Sequence, residues 1–377
     1  MNDFEQNQIA LKAQSSAWRL RLENLRGLLL SLREYGLRHE WFAPTALTIF
    51  LLGTICFSVC IGTYPMPIWK AGNILARLSF PWPLPDDLPW PVKELTVVQV
   101  IRFPRVLLAA LVGLGLGISG TALQGLMRNP LVGPDLVGVS SGAAMGGVLA
   151  VMLNWSPVSV MALAFVGGLL SMGATFTLAR IAKSSDGIGL ILSGIFVGGF
   201  CISAVGMGIF LADDGQLNTI IFWLLGNLNH ADRGTVWLVA VPTLLGGSIL
   251  MLLRWRLNLL SLGNDDAFAI GINVRILRLG IIAVVSLIVA AQVSAAGIIG
   301  WVGLVIPHWA RMLVGPDHRK LLPVSALLGG LFVLLIDDFT RVVLRANVPI
   351  GVLTTLIGTP FICFMFWKKQ TKGWIGD

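Results

Sequence analysis

Residues 258–278 read NLLSLGNDDAFAIGINVRILR and separate two long apolar runs, at about 235–253 and 279–296. The stretch carries too many polar and charged side chains to cross a bilayer, whose core takes about 20 predominantly apolar residues per helix. The runs on both sides are apolar enough to cross it. The sequence therefore predicts two membrane-spanning helices joined by a short polar element at the membrane surface.

This polar element has the pattern of a short amphipathic helix. Asn264, Asp265 and Asp266 favour a helix start, because short polar side chains cap free backbone N–H groups, and Gly271 favours a helix end. The apolar face between them consists of Ala267, Phe268 and Ile270. Two interpretations stay open on these residues alone: a basic loop between two helices, or a docking element for a partner protein.

Composition places the whole chain in the membrane class. Hydrophobic residues make up 55% of the 377 residues and charged residues 12%, and the mean hydropathy is +0.82. Apolar runs recur along nearly the whole chain, which indicates an all-α membrane protein. The formal net charge of +8 is expected to mark cytoplasmic loops rather than a nucleic-acid site. The four cysteines lie inside apolar runs without metal-binding spacing and are interpreted as core residues.

Ten apolar runs are predicted as transmembrane helices. They lie at about 45–63, 104–123, 137–153, 158–180, 188–211, 235–253, 279–296, 298–314, 321–337 and 349–367. An even number puts both termini on one side of the membrane, and the choice of the cytoplasm places 19 of the 27 Lys and Arg residues there, as the positive-inside rule requires. The eighth run contains Pro307 and His308 and is expected to be short or kinked.

The two ends of the chain differ from this membrane domain. Residues 1–43 are basic and leucine-rich, which predicts a cytoplasmic amphipathic extension on the membrane surface. Residues 44–368 form the predicted transmembrane domain, and residues 369–377 a cytoplasmic tail. A loop at about 64–101 contains FPWPLPDDLPWP, whose prolines disfavour regular helix.

The motifs exclude or disfavour several kinds of chemistry. No G-x-x-x-x-G-K-[ST] sequence occurs, so the chain cannot bind ATP through a P-loop, and the zinc-protease pattern HExxH is also absent. No carboxylate falls in the middle of a predicted span, since Asp337 and Asp338 close one beside Arg341. This disfavours an ion-coupled secondary transporter. That function is kept as the alternative hypothesis from a different class of transport protein. A membrane enzyme with His308 at its site is the weaker third hypothesis, because His308 and Arg311 fit structural hydrogen bonding.

Seven stretches, in order along residues 45–367, resemble the permease subunit of type II ABC importers, the FecCD-type family that moves ferric siderophores, haem and cobalamin. They are RFPR (102–105), SGTALQGLMRNPLVGPDLVGVSSGAA (119–144), FWLLGNL (222–228), LGNDDAFAIGINV (262–274), GIIGWVGLVIPHWARMLVGPDHRKLLP (297–323), DDFTR (337–341) and VPIGVLTTLIGTPFICF (348–364). The resemblance implies the type II permease fold and a transport subunit without catalytic residues, metal or cofactor of its own.

The resemblance also implies partners and the residues that meet them. The partners are two ABC ATPase subunits, a periplasmic substrate-binding protein, a second copy of the permease or a close homologue, and the lipid bilayer. The loop that would dock in the ATPase, here named the coupling loop, contains Leu262, Gly263, Asp265, Asp266, Ala267, Phe268, Ile270 and Gly271. The arginines that would pair with carboxylates of the binding protein are Arg102, Arg105 and Arg341. The cytoplasmic gate would be Asn129, Pro130 and Leu131 with Asp186, Gly187 and Ile188.

The composition of the predicted spans bears on the substrate. They are rich in Gly, Ala, Ser, Met and Leu and poor in charge, which suits a large, ligand-wrapped metal complex. A bare-metal pathway would need His, Asp or Glu at the midplane, and only His308 comes near it. Haem would favour His or Tyr near the outer mouth, where Tyr64 alone is expected. We therefore expect a ferric siderophore first, haem second and cobalamin third.

Overall fold

The computed structural model describes residues 41–79, 90–182, 187–262, 273–344 and 348–370, and within these ranges all regular secondary structure is helical. The helices are α1 (Phe42–Cys60), α2 (Ile68–Ser79), α3 (Val92–Thr96), α4 (Phe103–Met127), α5 (Val139–Met152), α6 (Pro157–Ile181), α7 (Gly187–Leu211), α8 (Asp214–Leu224), α9 (Arg233–Leu252), α10 (Arg254–Leu262), α11 (Val274–Ala296), α12 (Val302–Val314), α13 (His318–Asp338) and α14 (Ile350–Gln370). The prediction of an all-α membrane protein is confirmed.

Each of the ten predicted spans corresponds to a helix. In the part of the chain that the structure describes, seven stretches are long and apolar enough to cross a membrane, and three helices have shorter apolar stretches, Val139–Met152, Val302–Val314 and Ile350–Met365. The expectation that the eighth span is short is confirmed: α12 has 13 residues, with Pro307 inside it.

The loop predicted at about 64–101 contains helix that its prolines did not suggest. Helix α2 buries Ala71 and Ile74 completely, and this apolar face explains why the segment folds as a helix against the bundle. Helix α3 continues through wide π-helical turns, Val97–Arg102, into α4. The resulting stretch, Val92–Met127, is 36 residues long, so the second span begins well before the predicted residue 104.

Helix α4 is the centre of the bundle. Of its most apolar window 83% is buried, against 22% for α1, because α4 packs on α1, α9, α10, α11, α12 and α13. Its most extensive partner is α13. The two helices run antiparallel, and the site residues predicted near 102–105 and 337–341 fall at the same end of this pair.

Glycines set the distance between α4 and α13. A Cβ atom on Gly113 would lie 2.0 Å from the carbonyl oxygen of Gly329, and one on Gly117 would lie 2.3 Å from that of Ser325. Neither position therefore has room for a side chain. Small residues let helix backbones approach closely inside a membrane, where van der Waals packing replaces the hydrophobic effect between helices.

Candidate functional site

One polar site joins the start of α4 to the end of α13. It lies at the end of the bundle that the predicted topology places outside the cytoplasm, here named the outer end. Arg105 donates to Asp337 Oδ1 through Nε at 2.8 Å and through Nη2 at 2.8 Å, and its Nη1 donates to Asn229 Oδ1 at 2.9 Å. Arg341 lies one turn beyond Asp338 in a π-helical continuation of α13, Phe339–Leu344. Its guanidinium pairs with Asp338 at 2.5 Å and approaches Asp337 Oδ2 at 3.5 Å.

The same cluster caps the C-terminal end of α1. The last carbonyl groups of a helix have no hydrogen-bond partner within the helix. Arg102 is only 3% exposed and donates to the carbonyl oxygens of Cys60 at 3.1 Å and Tyr64 at 2.8 Å. Arg341 donates to the carbonyl oxygens of Ser58 at 3.0 Å and Ile61 at 3.1 Å. Three helices, α1, α4 and α13, are therefore tied together by arginine side chains.

These contacts add a role that the sequence interpretation missed for the three predicted docking arginines. Arg102 and Arg341 are buried and form hydrogen bonds inside the chain, whereas Arg105 is half-buried. Their contact with a binding protein stays a prediction. The signal for the internal role was present in the sequence, since Asp337 and Arg341 are four residues apart, a spacing that brings opposite charges together on a helix.

A second polar cluster lies at the cytoplasmic end of the predicted topology, around α10. Asn258 donates to Asp317 Oδ1 at 2.6 Å, and its own oxygen accepts from the His318 backbone N–H at 2.8 Å and lies 2.9 Å from His318 Nδ1. On the other side, Arg128 Nε donates to the carbonyl oxygen of Leu260 at 2.8 Å. Helix α10 is thus fixed to the end of α4 and to the start of α13.

The predicted coupling loop continues directly from this cluster. Leu262 is the last residue of α10, and its side chain is outside the described part of the structure, as are all residues from 263 to 272. The predicted contact residues Gly263, Asp265, Asp266, Ala267, Phe268, Ile270 and Gly271 therefore stay a prediction. The structure does show that the helix leading into the loop is attached to the central α4–α13 pair.

The first half of the predicted gate follows the end of α4. Arg128 ends the helix in a left-handed conformation with φ of 50°, and the Leu131 backbone N–H donates to Asn129 Oδ1 at 3.0 Å. Pro130 lies between them, and the Leu131 side chain is exposed. This compact turn brings the chain back towards α4.

The second half of the predicted gate is described only in part. Asp186 is outside the described residues, and Gly187 and Ile188 begin α7. The pairing of the two halves stays a prediction. His308, the residue considered for an enzyme, is half-buried within α12.

The family model of the FecCD transport family matches residues 49–368. The chain belongs to this family. The predicted resemblance is confirmed, and its type II permease fold is supported by a solved metal-chelate type ABC transporter in an inward-facing conformation. That structure is 36% identical, has a TM-score of 0.75 and covers 86% of this chain and 98% of the solved one.

Relatives of this FecCD-family chain differ in the substrates that their names give. The molybdate import permease MolB of Haemophilus influenzae is 38% identical over 87% of this chain and 96% of its own. The hemin transport permease HmuU of Yersinia pestis is 41% identical over 72% and 83%. The Fe(3+) dicitrate permease FecC of Escherichia coli is 35% identical over 88% and 97%. The chain is therefore a membrane-embedded ABC importer permease, and family membership alone leaves its substrate open.

Proposed function

We propose that the chain is the permease subunit of an ABC importer in the bacterial inner membrane and that it translocates an iron chelate into the cytoplasm. Two copies of the chain form the pore between them. Two partner ATPase subunits bind and hydrolyse ATP, and a periplasmic binding protein delivers the substrate. Both termini, residues 1–43 and 369–377, lie in the cytoplasm. The observation that carries this proposal is the family match over residues 49–368.

The two polar clusters fit the two partner surfaces of such an importer. The cluster around Arg105 would face the binding protein, with Arg102 and Arg341 holding the helix ends that present it. Arg105 is the least buried of the three arginines, and a guanidinium can form two parallel hydrogen bonds to one carboxylate. The cluster around Asn258 would support the coupling loop against the ATPase, with Phe268 as the packing anchor.

Among the substrates of the family, a ferric siderophore suits the chain best, followed by haem and cobalamin. The binding protein supplies affinity, so a pore must hold its cargo weakly, and spans rich in small and aliphatic residues meet that need. The two carboxylates that close a predicted span give no support to an ion-coupled secondary transporter. Asp337 and Asp338 both contact arginines, at 2.8 Å and 2.5 Å, and lie at the end of their helix.

Co-purification tests the proposed attachment of the ATPase. Phe268→Asp should detach the ATPase, while the permease still inserts and elutes at its normal size. Trp155→Asp is the matched control, because Trp155 is an exposed aromatic residue at the opposite end of the predicted topology. Recovery of the ATPase at the wild-type level with Phe268→Asp would contradict the coupling role.

Growth of a deletion strain tests the substrate. The strain should lose the use of at least one ferric siderophore as sole iron source, and the plasmid-borne gene should restore it. Haem, cobalamin and molybdate are supplied in parallel. Normal use of every siderophore, together with loss of growth on haem alone, would overturn the order of substrates.

A further inference from the structure

A cavity of about 230 Å³ opens halfway along the central helix α4. Leu116, one of its wall residues, is close to the midpoint of this 25-residue helix, and so lies about 16 to 20 Å from either end at 1.5 Å per residue. The other wall residues used below are Leu131, Asp135, Trp301 and Gly303. The cavity therefore lies beside the middle of α4, away from both polar clusters.

Two of its walls are made of backbone that is not regular α-helix. One is the turn after α4, which continues into a short 3₁₀ helix, Pro134–Val137, and the other is the loop before α12. The two walls meet at the start of α12, where a Cβ atom on Gly303 would lie 2.7 Å from Pro134 Cδ and 3.2 Å from the Leu116 carbonyl oxygen. Irregular backbone at membrane depth is tolerated only where protein buries it or where it lines a water-filled cavity.

Trp301 marks the second wall as a strained position. Its φ is 70°, in the left-handed region that non-glycine residues with large side chains seldom adopt. The conformation is held by α14, because a Cβ atom on Gly358 would lie 2.7 Å from Trp301 Cβ. Strain of this kind, of order 1–3 kcal/mol, concentrates at ligand-contact positions. The half-buried indole is thereby fixed at the cavity wall.

Asp135 is the charged residue of this cavity. Its side chain is exposed at the wall, and its Oδ1 accepts from the Ser140 hydroxyl at 2.6 Å. Within the described residues it forms no ion pair, in contrast to Asp337 and Asp338.

We propose that Asp135 and Trp301 form a charge-selective subsite on the translocation path, which admits neutral or cationic metal chelates and disfavours anionic ones. The inference rests on the proposed function and narrows its substrate class. Three hydroxamate groups neutralise Fe³⁺, so ferric hydroxamates are neutral, or cationic when they carry a free amine. Trp301 offers their organic shell an apolar and cation-attracting face. Molybdate and ferric dicitrate, the cargoes named for two relatives, are anions that Asp135 would repel.

Thiol labelling tests the electric field of the cavity without any substrate. The four native cysteines are replaced by alanine, and Leu131→Cys is introduced in the assembled importer in lipid nanodiscs at pH 8. Cationic and anionic methanethiosulfonate reagents of similar size then compete for this thiol. Asp135 should favour the cationic reagent, and Asp135→Asn should lower the cation-to-anion rate ratio by about threefold or more, the effect of one charge at short range in a partly screened site.

The labelling controls test whether the rate ratio depends on the place of the thiol in the cavity and on the carboxylate of Asp135. Val132→Cys, whose wild-type side chain is only 1% exposed, should react far more slowly than Leu131→Cys with both reagents. Asp135→Glu should keep the wild-type ratio, and Asp135→Ser repeats the comparison if the asparagine variant does not assemble. An unreactive Leu131→Cys, or a rate ratio that is the same with and without the carboxylate, would overturn the proposal.

Uptake of ⁵⁵Fe complexes tests the substrate class. Cells carrying either wild type or Asp135→Asn are given a neutral ferric hydroxamate or anionic ferric citrate, with the same binding protein in both strains. Because the binding protein is unchanged, its preference cancels when the two strains are compared. Asp135→Asn should raise the uptake of ferric citrate relative to the hydroxamate severalfold, and an unchanged ratio would refute charge selection in transport. If neither strain takes up any ferric complex, the proposed iron substrate fails, while the labelling result still reports on the cavity.

Discussion

The α4–α13 pair is held at its two ends by polar clusters of opposite character. At the outer end, Arg105 and Arg341 meet Asp337 and Asp338 in contacts between full charges, and Asp337 is completely buried. At the other end, the amide of Asn258 carries most of the contacts, and the groups that it meets include a backbone N–H. One end is therefore an ionic cluster and the other is mainly a set of hydrogen bonds.

This difference decides how easily each end can rearrange. A buried charge that loses its partner has no good alternative, because removal of one member of such a pair costs about 3–5 kcal/mol. A hydrogen bond has a net value of about 1 kcal/mol between neutral groups and about 1.5–3 kcal/mol when one partner is charged, as Asp317 is. The ionic end is suited to permanent attachment, and the Asn258 end is suited to a contact that shifts during a transport cycle.

The middle of the pair connects the two ends. The backbones of α4 and α13 touch at Gly113 and Gly329, with no side chain between them. Packed helices of this kind move as one body, and displacements are taken up at their ends. Movement of the proposed coupling loop would therefore reach the outer cluster through this pair, provided that α10 stays attached.

The largest effect is expected at the ionic end. Asp337→Ala leaves Arg105 without its carboxylate and removes one of the two that Arg341 faces, so the folded subunit should lose about 3–5 kcal/mol. The thermal midpoint in detergent, measured by fluorescence-detected size exclusion, should fall sharply. Asp214→Ala, at an exposed carboxylate in the first turn of α8, is the control and should change little.

A double substitution separates loss of charge from loss of packing at the same place. Arg105→Met combined with Asp337→Leu removes both charges of one pair and should recover part of the lost stability, because apolar groups of similar size can replace a buried ion pair. Equal thermal midpoints for wild type and Asp337→Ala would show that the charge pairs of the outer cluster contribute no net stability. The contrast between the two ends would then be wrong.

At the Asn258 end, we expect a smaller loss of stability than at the ionic end. The main effect there should be on the coupling between the binding protein and ATP hydrolysis. Asn258→Ala removes the amide from its contacts with Asp317 and His318 and should cost about 1–3 kcal/mol. In the assembled importer, basal ATP hydrolysis should persist, whereas its stimulation by the binding protein should fall severalfold. Arg256→Ala, at an exposed position of the same helix, is the control. Full stimulation in the Asn258 variant would show that α10 transmits nothing through this amide.

The sequence predicted the fold well because a bilayer leaves few choices. A run of apolar residues of sufficient length must be a helix, since no water is present to satisfy the backbone, and all ten predicted runs are helical. Helix α8 was missed because 11 residues are too short for this signal. Its start was nevertheless encoded in a capping box, in which Asp213 and Gln216 exchange hydrogen bonds, a local pattern that can be read from sequence.

The site was predicted less completely, for a different physical reason. The arginines and the coupling loop were predicted from motifs, but the residues that contact the arginines and α10 inside the chain are far from them in sequence. Arg105 and Asp337 are joined only because α4 and α13 pack antiparallel, and Asn258 meets His318 only because α10 folds back on that pair. Trp301 could not have been singled out, since a left-handed backbone conformation at a non-glycine residue leaves no mark in the pattern.

The smallest effect, and the sharpest distinction between the two ends, concerns pH. Desolvation opposes ionisation of Asp317, but hydrogen bonds from the Arg319 backbone N–H and from Asn258 hold the pKa of this carboxyl below its ordinary value of 3.8. A group whose pKa is lowered by folding stabilises the folded state above its ordinary pKa, and this contribution is lost as the pH falls through the lowered value. Asp317 also caps α13, so Asp317→Ala should cost about 1 kcal/mol at pH 7.

The gap in thermal midpoint between wild type and Asp317→Ala should therefore be constant from pH 7 to pH 5 and should narrow below about pH 4, where the carboxyl starts to take up a proton. Asp317→Asn is the matched control, because asparagine is an equally good helix cap that does not titrate. The gap in thermal midpoint between Asp317→Asn and Asp317→Ala should therefore stay constant below pH 4. A gap that keeps its full size down to pH 3 would mean that the charge of Asp317 contributes nothing. The Asn258 end would then gain no stability from that charge, and the contrast with the ionic outer end would be stronger than the contacts alone indicate.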